Sequence, residues 1–257
     1  MMAPVTERNI KILLIQIRKN QRMLAPERQS FVSLSGLEEE HFTTFDIFRQ
    51  PDFSPRVIDP YDAIIIGGLS DDPSDTVEMP PSVFPFIESL QALMLYAIQV
   101  RKPSLLSCGG FMIASVALGS AITLDPTLAE LGVYDIHLTE SAHLDPLFLE
   151  FPPHFKAVSG HKKSTLKVPA GCELLAFTEN CPIHAFKAKK APFYAFQFHP
   201  EIRCEELQAR VELYKDKYFE SDEAYQAFLQ LMADTSDANR IIRRFVELVK
   251  KHVSSIA

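Results

Sequence analysis

The sequence predicts an α/β fold in which a mainly parallel sheet is flanked by helices. Short apolar runs alternate with longer stretches of helical period in the first half of the chain, as in parallel βαβ units. From Gly132 onward the pattern changes to short strand-like pieces separated by Pro, Gly and Asn, and after Glu201 it becomes helical. The 257 residues contain no low-complexity linker. We therefore expect a single domain over 1–257, with a core at about 10–202 and a helical C-terminal extension at 203–257.

The first half of the chain supplies the predicted parallel strands and the helices between them. The strands are Ile10–Ile17, His41–Phe48, Asp62–Ile66 and Pro103–Ser107. The helices are Glu27–Leu37, Pro85–Val100 and Phe111–Leu118. The first strand is too short and too interrupted by polar residues to cross a bilayer, and no small-residue cleavage site follows it. We interpret it as a strand rather than a signal peptide.

The second half predicts a small antiparallel layer attached to the parallel sheet, followed by three helices. The strands are Tyr134–Thr139, Ala157–Ser159, Leu174–Phe177, His184–Lys187 and Phe193–Phe198. The helices are Cys204–Phe219, Glu223–Asp234 and Asp237–His252. The last helix has the clearest 3.6-residue period, with Ile241, Phe245 and Val249 on one face. That face is expected to pack on the core.

Charge excludes two classes of partner. The net charge is −7, so the chain has no general attraction for phosphates. Nucleic acid and anionic membranes are therefore not expected as partners.

Cysteine and histidine usage indicates neither a disulfide framework nor a metal site. None of the four cysteines forms a C-x-x-C pair, which favours a reducing, cytoplasmic location. The histidines show no metal-binding spacing, and the Gly67-Gly68 pair lacks the phosphate-binding and dinucleotide patterns. We expect no metal and no cofactor.

The segment from Pro103 to Met112 has the layout of a nucleophile elbow. A predicted strand runs into Cys108, two glycines follow, and a helix begins at once. Such a turn projects the nucleophile, and the positive end of the helix favours the thiolate. The N–H of Gly109 would point at a developing oxyanion. The alternative is a buried cysteine in a glycine turn.

A thiol nucleophile needs a base and a group that orients the base, and both occur at Phe196-Gln-Phe-His199-Pro200-Glu201. His199 ends an apolar strand. Glu201 lies two residues later, so both side chains fall on one side of an extended backbone. Glu201 could then hold the His199 tautomer whose other nitrogen faces Cys108. A strand-end histidine before a proline turn is the alternative for this string alone.

These motifs resemble the class I glutamine amidotransferase domain, and more closely its free-standing members that are similar to GMP synthase. The matching pieces occur in the family's order over about residues 10–202. They are Ile64-Ile-Ile-Gly67-Gly68, Cys108-Gly109-Gly110, Ser159-Gly-His161, Leu166-Lys-Val-Pro169-Ala-Gly171, the stretch from Ala176 to Phe186, and Phe196-Gln-Phe-His199-Pro200-Glu201. The resemblance implies a flavodoxin-like fold.

The resemblance also implies roles for individual residues. Cys108 would be the nucleophile, His199 the base and then the acid, and Glu201 the orienting group. Gly68 and Gly109 would supply the two oxyanion-hole N–H groups. The substrate pocket would be at positions Met112, Gly160 and His161.

Three departures from the family pattern concern the pocket. Leu106 replaces the first glycine of the family's G-x-C-x-G-x-Q elbow, and Met112 replaces its glutamine, which normally helps to hold the substrate. His161-Lys162-Lys163 stands where the family has His-x-Asp. The catalytic set is therefore intact while glutamine recognition is altered.

Three functions follow from these observations. The first is a glutamine amidotransferase-like hydrolase that cleaves a γ-glutamyl amide through a Cys108 thioester, working with a synthetase partner or as a homo-oligomer. The second is a γ-glutamyl peptidase or hydrolase that acts on a larger γ-glutamyl compound, which the substitution at Met112 favours. The third is a catalytically silent binding module, which the intact triad disfavours.

Overall fold

A nine-stranded sheet lies at the centre of the computed structural model, which describes residues 10–69, 76–213, 219 and 221–256. The strands are β1 (Ile12–Gln16), β2 (Phe42–Asp46), β3 (Ala63–Ile66), β4 (Ser104–Ser107), β5 (Thr123–Leu124), β6 (Glu130–Leu138), β7 (His154–His161), β8 (Lys163–Ser164), β9 (Cys172–Phe177), β10 (Ala185–Ala188) and β11 (Phe193–Phe196). The order in the large sheet is β2-β1-β3-β4-β11-β10-β9-β6-β7, and β5 pairs with β8 separately.

The sheet is parallel on one side and antiparallel on the other. Strands β2, β1, β3, β4 and β11 run parallel to one another, so β11, which was expected in the antiparallel layer, belongs to the parallel side. The expected antiparallel strands continue this same sheet through β10, β9, β6 and β7. Because β1 lies between β2 and β3, the strand order reverses there, and such a point opens a crevice at the carboxyl ends of the strands.

Helices surround the sheet, and seven α-helices lie within the described residues. They are α1 (Leu24–Ser35), α2 (Ile87–Gln99), α3 (Gly109–Ala117), α4 (Glu140–His143), α5 (Cys204–Leu213), α6 (Asp222–Gln230) and α7 (Ser236–Ile256). One apolar cluster joins α1 and α7 to one face of the sheet, and a second joins α2 and α3 to the other. A third cluster packs α5 and α6 on β6 and β7. Helices therefore flank both faces, as predicted.

Most predicted elements occur within a few residues of their expected bounds. The apolar face predicted for the last helix is confirmed, since Ile241, Phe245 and Val249 are buried in the first cluster. The short helix α4 and the small β5–β8 sheet were not predicted. The helix predicted over Cys204–Phe219 is observed as far as Leu213, and residues 214–218 of that prediction lie outside the described residues. Within the described ranges, no helix is long and apolar enough to cross a membrane.

Candidate active site

Cys108 occupies the sharp turn between β4 and α3. Its backbone has φ 46° and ψ −97°, a conformation that non-glycine residues rarely adopt and that costs of the order of 1–3 kcal/mol. The Cys108 N–H donates to the carbonyl of Phe196 at 2.7 Å, which ties the turn to the end of β11. The side chain is largely buried, with 7% of the residue exposed. The predicted elbow is thus present, with its cysteine at the start of a helix.

Gly109 allows the elbow to pack closely against the loop after β3. A Cβ at this position would collide with Leu69 and approach Ile17 Cδ1 to 2.9 Å. No group among the described residues accepts a hydrogen bond from the Gly109 N–H. This N–H lies in the first turn of α3, where amide donors have no partner inside the helix. It is available to a substrate oxygen.

His199 and Glu201 form a buried pair beside Cys108. The Nδ1 of His199 lies 2.8 Å from Oε1 of Glu201, and the hydroxyl of Ser107 donates to the same oxygen at 3.1 Å. The His199 N–H donates to the carbonyl of Val158, which fixes the backbone after β11 against β7. With Nδ1 engaged by Glu201, the other ring nitrogen is left for Cys108, as predicted.

The electrostatics of the pair favour a protonated imidazole. Burial lowers the pKa of His199, but the charges of Glu201 and Cys108 outweigh it and raise the pKa to about 10. Burial raises the pKa of Glu201, but the His199 charge and hydrogen bond reverse this and hold it below its ordinary value. Cys108 also hydrogen-bonds to the ring. The arrangement therefore stabilises an imidazolium between the Glu201 carboxylate and the Cys108 sulfur.

Sequence reasoning missed a buried ion pair next to this site. Arg18, just after β1, lies with its Nε 2.6 Å from Oε1 of Glu27 on α1, and both side chains are nearly excluded from solvent. The pKa of Arg18 is raised: burial would lower it, but the charge of Glu27 prevails, and Glu201 and Cys108 act in the same direction. The Arg18 cation therefore contributes to the field around the predicted nucleophile.

Glu27 also engages one of the predicted oxyanion donors. The Gly68 N–H donates to Oε1 of Glu27 at 3.3 Å. A Cβ on Gly68 would lie 2.7 Å from the guanidinium of Arg18 and 3.0 Å from Cε1 of His199, so a larger residue there would require the Arg18 side chain to shift. Gly68 is thus adjacent to His199, but its N–H donates to the carboxylate of Glu27. The Gly68 N–H can donate to an oxyanion only when its hydrogen bond to Glu27 is broken.

Comparisons with known proteins identify the family. The model of the family "Glutamine amidotransferase class-I" matches residues 43–218, more than half of the chain. The chain belongs to this family.

The chain is also similar in sequence to individual proteins and in fold to solved structures. The chain is 32% identical over 118 residues to one subunit of the glutamine-hydrolysing GMP synthase of Methanocaldococcus jannaschii, across 46% of this chain and 61% of that protein. It is 25% identical over 166 residues to the protein of the same name from Sulfurisphaera tokodaii, across 65% and 80%. A glutamine amidotransferase structure from Thermotoga maritima superposes with a TM-score of 0.72 at 16% identity, covering 95% of this chain and 99% of that one.

The three predicted pocket positions differ in their surroundings. The carbonyl of Gly160 lies 4.0 Å from Sγ of Cys108, and Gly160 itself is exposed. Met112, one turn after Cys108, is 4% exposed and belongs to the apolar cluster under α2 and α3. His161 is buried and bonds to Glu130. Of the three, only Gly160 lies beside the thiol and open to solvent in this conformation.

Proposed function

We propose that this chain is an amidohydrolase of the glutamine amidotransferase type, which cleaves a γ-glutamyl amide through a thioester on Cys108. The observation that carries the proposal is the convergence of an elbow cysteine with the buried His199–Glu201 pair. The pair holds a proton next to a thiol placed at a helix N-terminus. This is the combination that acyl transfer by cysteine requires.

In the first half of the reaction, the Cys108 sulfur attacks the γ-carbonyl carbon and the carbonyl oxygen becomes an oxyanion. The Gly109 N–H donates to that oxygen, and the Gly68 N–H joins it once released from Glu27. His199 then gives its proton to the leaving nitrogen as the C–N bond breaks. Ammonia or an amine departs, and the glutamyl group remains on sulfur as a thioester.

In the second half, water hydrolyses the thioester. His199, now neutral, takes a proton from the water as its oxygen attacks the carbonyl carbon. The C–S bond breaks and glutamate leaves, which restores the thiolate and the imidazolium. Glu201 stays ionised throughout, because its role is to orient the ring and to stabilise its positive charge.

The fate of the ammonia is a further part of the proposal. The relatives at up to 32% identity are named as one subunit of a GMP synthase, which supports transfer of ammonia to a separate synthetase partner. The chain matches only 61% of the first of these relatives, so the partner is proposed for this chain and not taken from them. A homo-oligomer is the other assembly we consider.

A γ-glutamyl peptidase or hydrolase acting on a larger compound is the second candidate, and Met112 is the observation that favours it. A thioether cannot replace the hydrogen bonds of the family's glutamine. Sites that lose such a contact discriminate poorly in favour of the substrate that needs it. A larger leaving group would depend less on that contact.

The test is a screen of glutamine, glutathione and γ-glutamyl dipeptides for release of glutamate. We expect release from at least one of these compounds by the wild-type chain and none by Cys108→Ser. Cys172→Ser is the matched control, because it removes another buried thiol and should leave turnover unchanged. Preference for glutamine supports the amidotransferase, and preference for the larger compounds supports the peptidase. Equal release by wild type and Cys108→Ser would refute both.

A further inference from the structure

A second group of buried titratable side chains lies where the start of β6 pairs with the end of β7. Glu130 and His161 face each other across these strands. His184, just before β10, and Cys181, in the preceding turn, complete the group. One ring nitrogen of each histidine and the Sγ of Cys181 lie within 4.8 Å of one another, and all three residues are buried. The proposed reaction uses none of these side chains.

The hydrogen bonds fix which form of each histidine is present. Oε2 of Glu130 lies 3.3 Å from Nε2 of His161 and 2.7 Å from Nε2 of His184. An ionised carboxylate only accepts, so both Nε2 atoms carry hydrogen. In a neutral ring each Nδ1 then bears a lone pair, and both Nδ1 atoms are buried without a partner among the described residues.

The same carboxylate holds the third member in place. The hydroxyl of Thr178 donates to Oε1 of Glu130 at 2.6 Å and accepts the N–H of Cys181 at 2.9 Å. Among the described residues, the hydrogen bond of the Cys181 thiol is a long one, 3.6 Å to the carbonyl of Ile183. Two imidazoles, each with a buried and unpartnered Nδ1, and a buried thiol are thus gathered in one place.

We infer that His161, Cys181 and His184 form a binding site for a zinc ion, with Glu130 as the outer carboxylate that orients both rings. Two imidazoles and one thiolate suit Zn²⁺ in preference to the hard cations, which select oxygen. A histidine that binds metal almost always donates its other N–H to a carboxylate or carbonyl, and here one carboxylate serves both rings. Ligand atoms in a filled tetrahedral site lie roughly 3.5 Å apart, so shifts of about 1 Å would complete the site.

Binding has a defined proton balance and a structural consequence. The Cys181 thiol releases its proton to solvent as the zinc–sulfur bond forms, so affinity should fall as the pH is lowered. Three protein ligands leave the fourth position to water. His161 follows Gly160, whose carbonyl faces the Cys108 sulfur. An ion here would therefore anchor the strand end that lies beside the proposed nucleophile.

The experiment is a titration of the purified, chelator-treated full chain with Co²⁺, followed by displacement with Zn²⁺. We expect one equivalent of Co²⁺ to bind with the absorption of a thiolate-to-cobalt charge transfer, and Zn²⁺ to abolish that absorption. Cys181→Ser should lose the thiolate band. Glu130→Gln removes the outer carboxylate and should weaken metal binding roughly 10–100-fold. Cys181→Ser removes a ligand and should weaken metal binding by more than this.

Two other cysteine variants test whether the metal ion binds at Cys181 and not at another thiol. Cys204→Ser is the matched control, since it removes a buried thiol outside the group, and Cys108→Ser removes the nucleophile; both should bind as wild type does. Should Cys181→Ser not fold, as judged by circular dichroism, His161→Gln serves in its place with the same expected loss. The inference is overturned if the wild type binds neither metal at one equivalent. It is equally overturned if binding survives Cys181→Ser or disappears in Cys108→Ser.

Discussion

Replacing Glu201 by glutamine tests how the site holds its proton. The substitution keeps the size of the side chain and an oxygen that can accept from His199 Nδ1, but removes the charge. That charge is the largest influence raising the pKa of His199 to about 10. In Glu201→Gln the ring should therefore lose its proton at lower pH, although Cys108 still favours the charged form. We expect a milder loss of activity than in His199→Ala, which removes the proton carrier itself.

The size of the effect follows from the pKa values. The ordinary value of His199 is 6.5, and the interval to about 10 corresponds to roughly 5 kcal/mol at about 1.4 kcal/mol per tenfold change. Because the folded-state pKa is the higher one, this stabilisation is fully present below pH 6.5 and is lost as the pH rises through 10. Much of it should be missing in Glu201→Gln, so its free energy of unfolding should depend less on pH over this window.

The assay is the pH profile of kcat/KM, together with urea denaturation at several pH values between 6.5 and 10. The alkaline limb reports the proton that His199 gives to the leaving group, and it should move to lower pH by at least about one unit in Glu201→Gln. Ser107→Ala is the control, because it removes a neutral hydrogen bond to the same carboxylate oxygen and leaves the charge. An alkaline limb that stays in place in Glu201→Gln would show that Glu201 does not set the proton affinity of His199.

Three further predictions concern the nucleophile, the pocket and the buried ion pair. Cys108→Ser should lower kcat by several orders of magnitude while the circular dichroism spectrum is unchanged; retained turnover would remove Cys108 from the mechanism. Met112→Gln should raise kcat/KM for glutamine relative to a larger γ-glutamyl substrate, and an unchanged ratio would show that this position does not contact the substrate. Glu27→Ala leaves the Arg18 cation buried without its closest partner and should lower the free energy of unfolding by about 3–5 kcal/mol in urea; a loss below about 1 kcal/mol would contradict this.

The sequence predicted those parts of the fold and site that depend on neighbouring residues. The β4–α3 turn around Cys108 was recognisable because a strand, a cysteine, two glycines and a helix follow one another. His199 and Glu201 were expected to share one side of an extended backbone, and their side chains do pair at 2.8 Å. The backbone that brings them together is a turn, since Pro200 and Glu201 lie in it and the Ile202 N–H donates to the His199 carbonyl at 3.3 Å.

Contacts between distant segments could not be predicted in the same way. The bond between Glu27 and Gly68 joins residues 41 positions apart and depends on how α1 packs over the end of β3. The ion pair with Arg18 depends on the same packing, and nothing in the local sequence marks either residue as buried. The only available signal was a pair of opposite charges on either side of a predicted strand-to-helix connection.

The group of His161, Cys181 and His184 around Glu130 also depends on contacts between distant segments, so it could not be predicted from the sequence. His161 and His184 are scattered along the chain, so their linear spacing indicated no metal site. Strand pairing between β6 and β7 places His161 opposite Glu130, and the turn before β10 brings His184 to the same carboxylate. Only the sheet register reveals that these residues meet.

The most direct test of the central claim is covalent labelling by an electrophilic glutamine analogue, read by intact mass and peptide mapping. The account predicts one label per chain, located on Cys108, slowed by excess glutamine or by the preferred γ-glutamyl substrate and strongly reduced in His199→Ala. Wild-type chain that releases glutamate but carries no label on Cys108, or that is labelled equally on Cys172, Cys181 and Cys204, would contradict it.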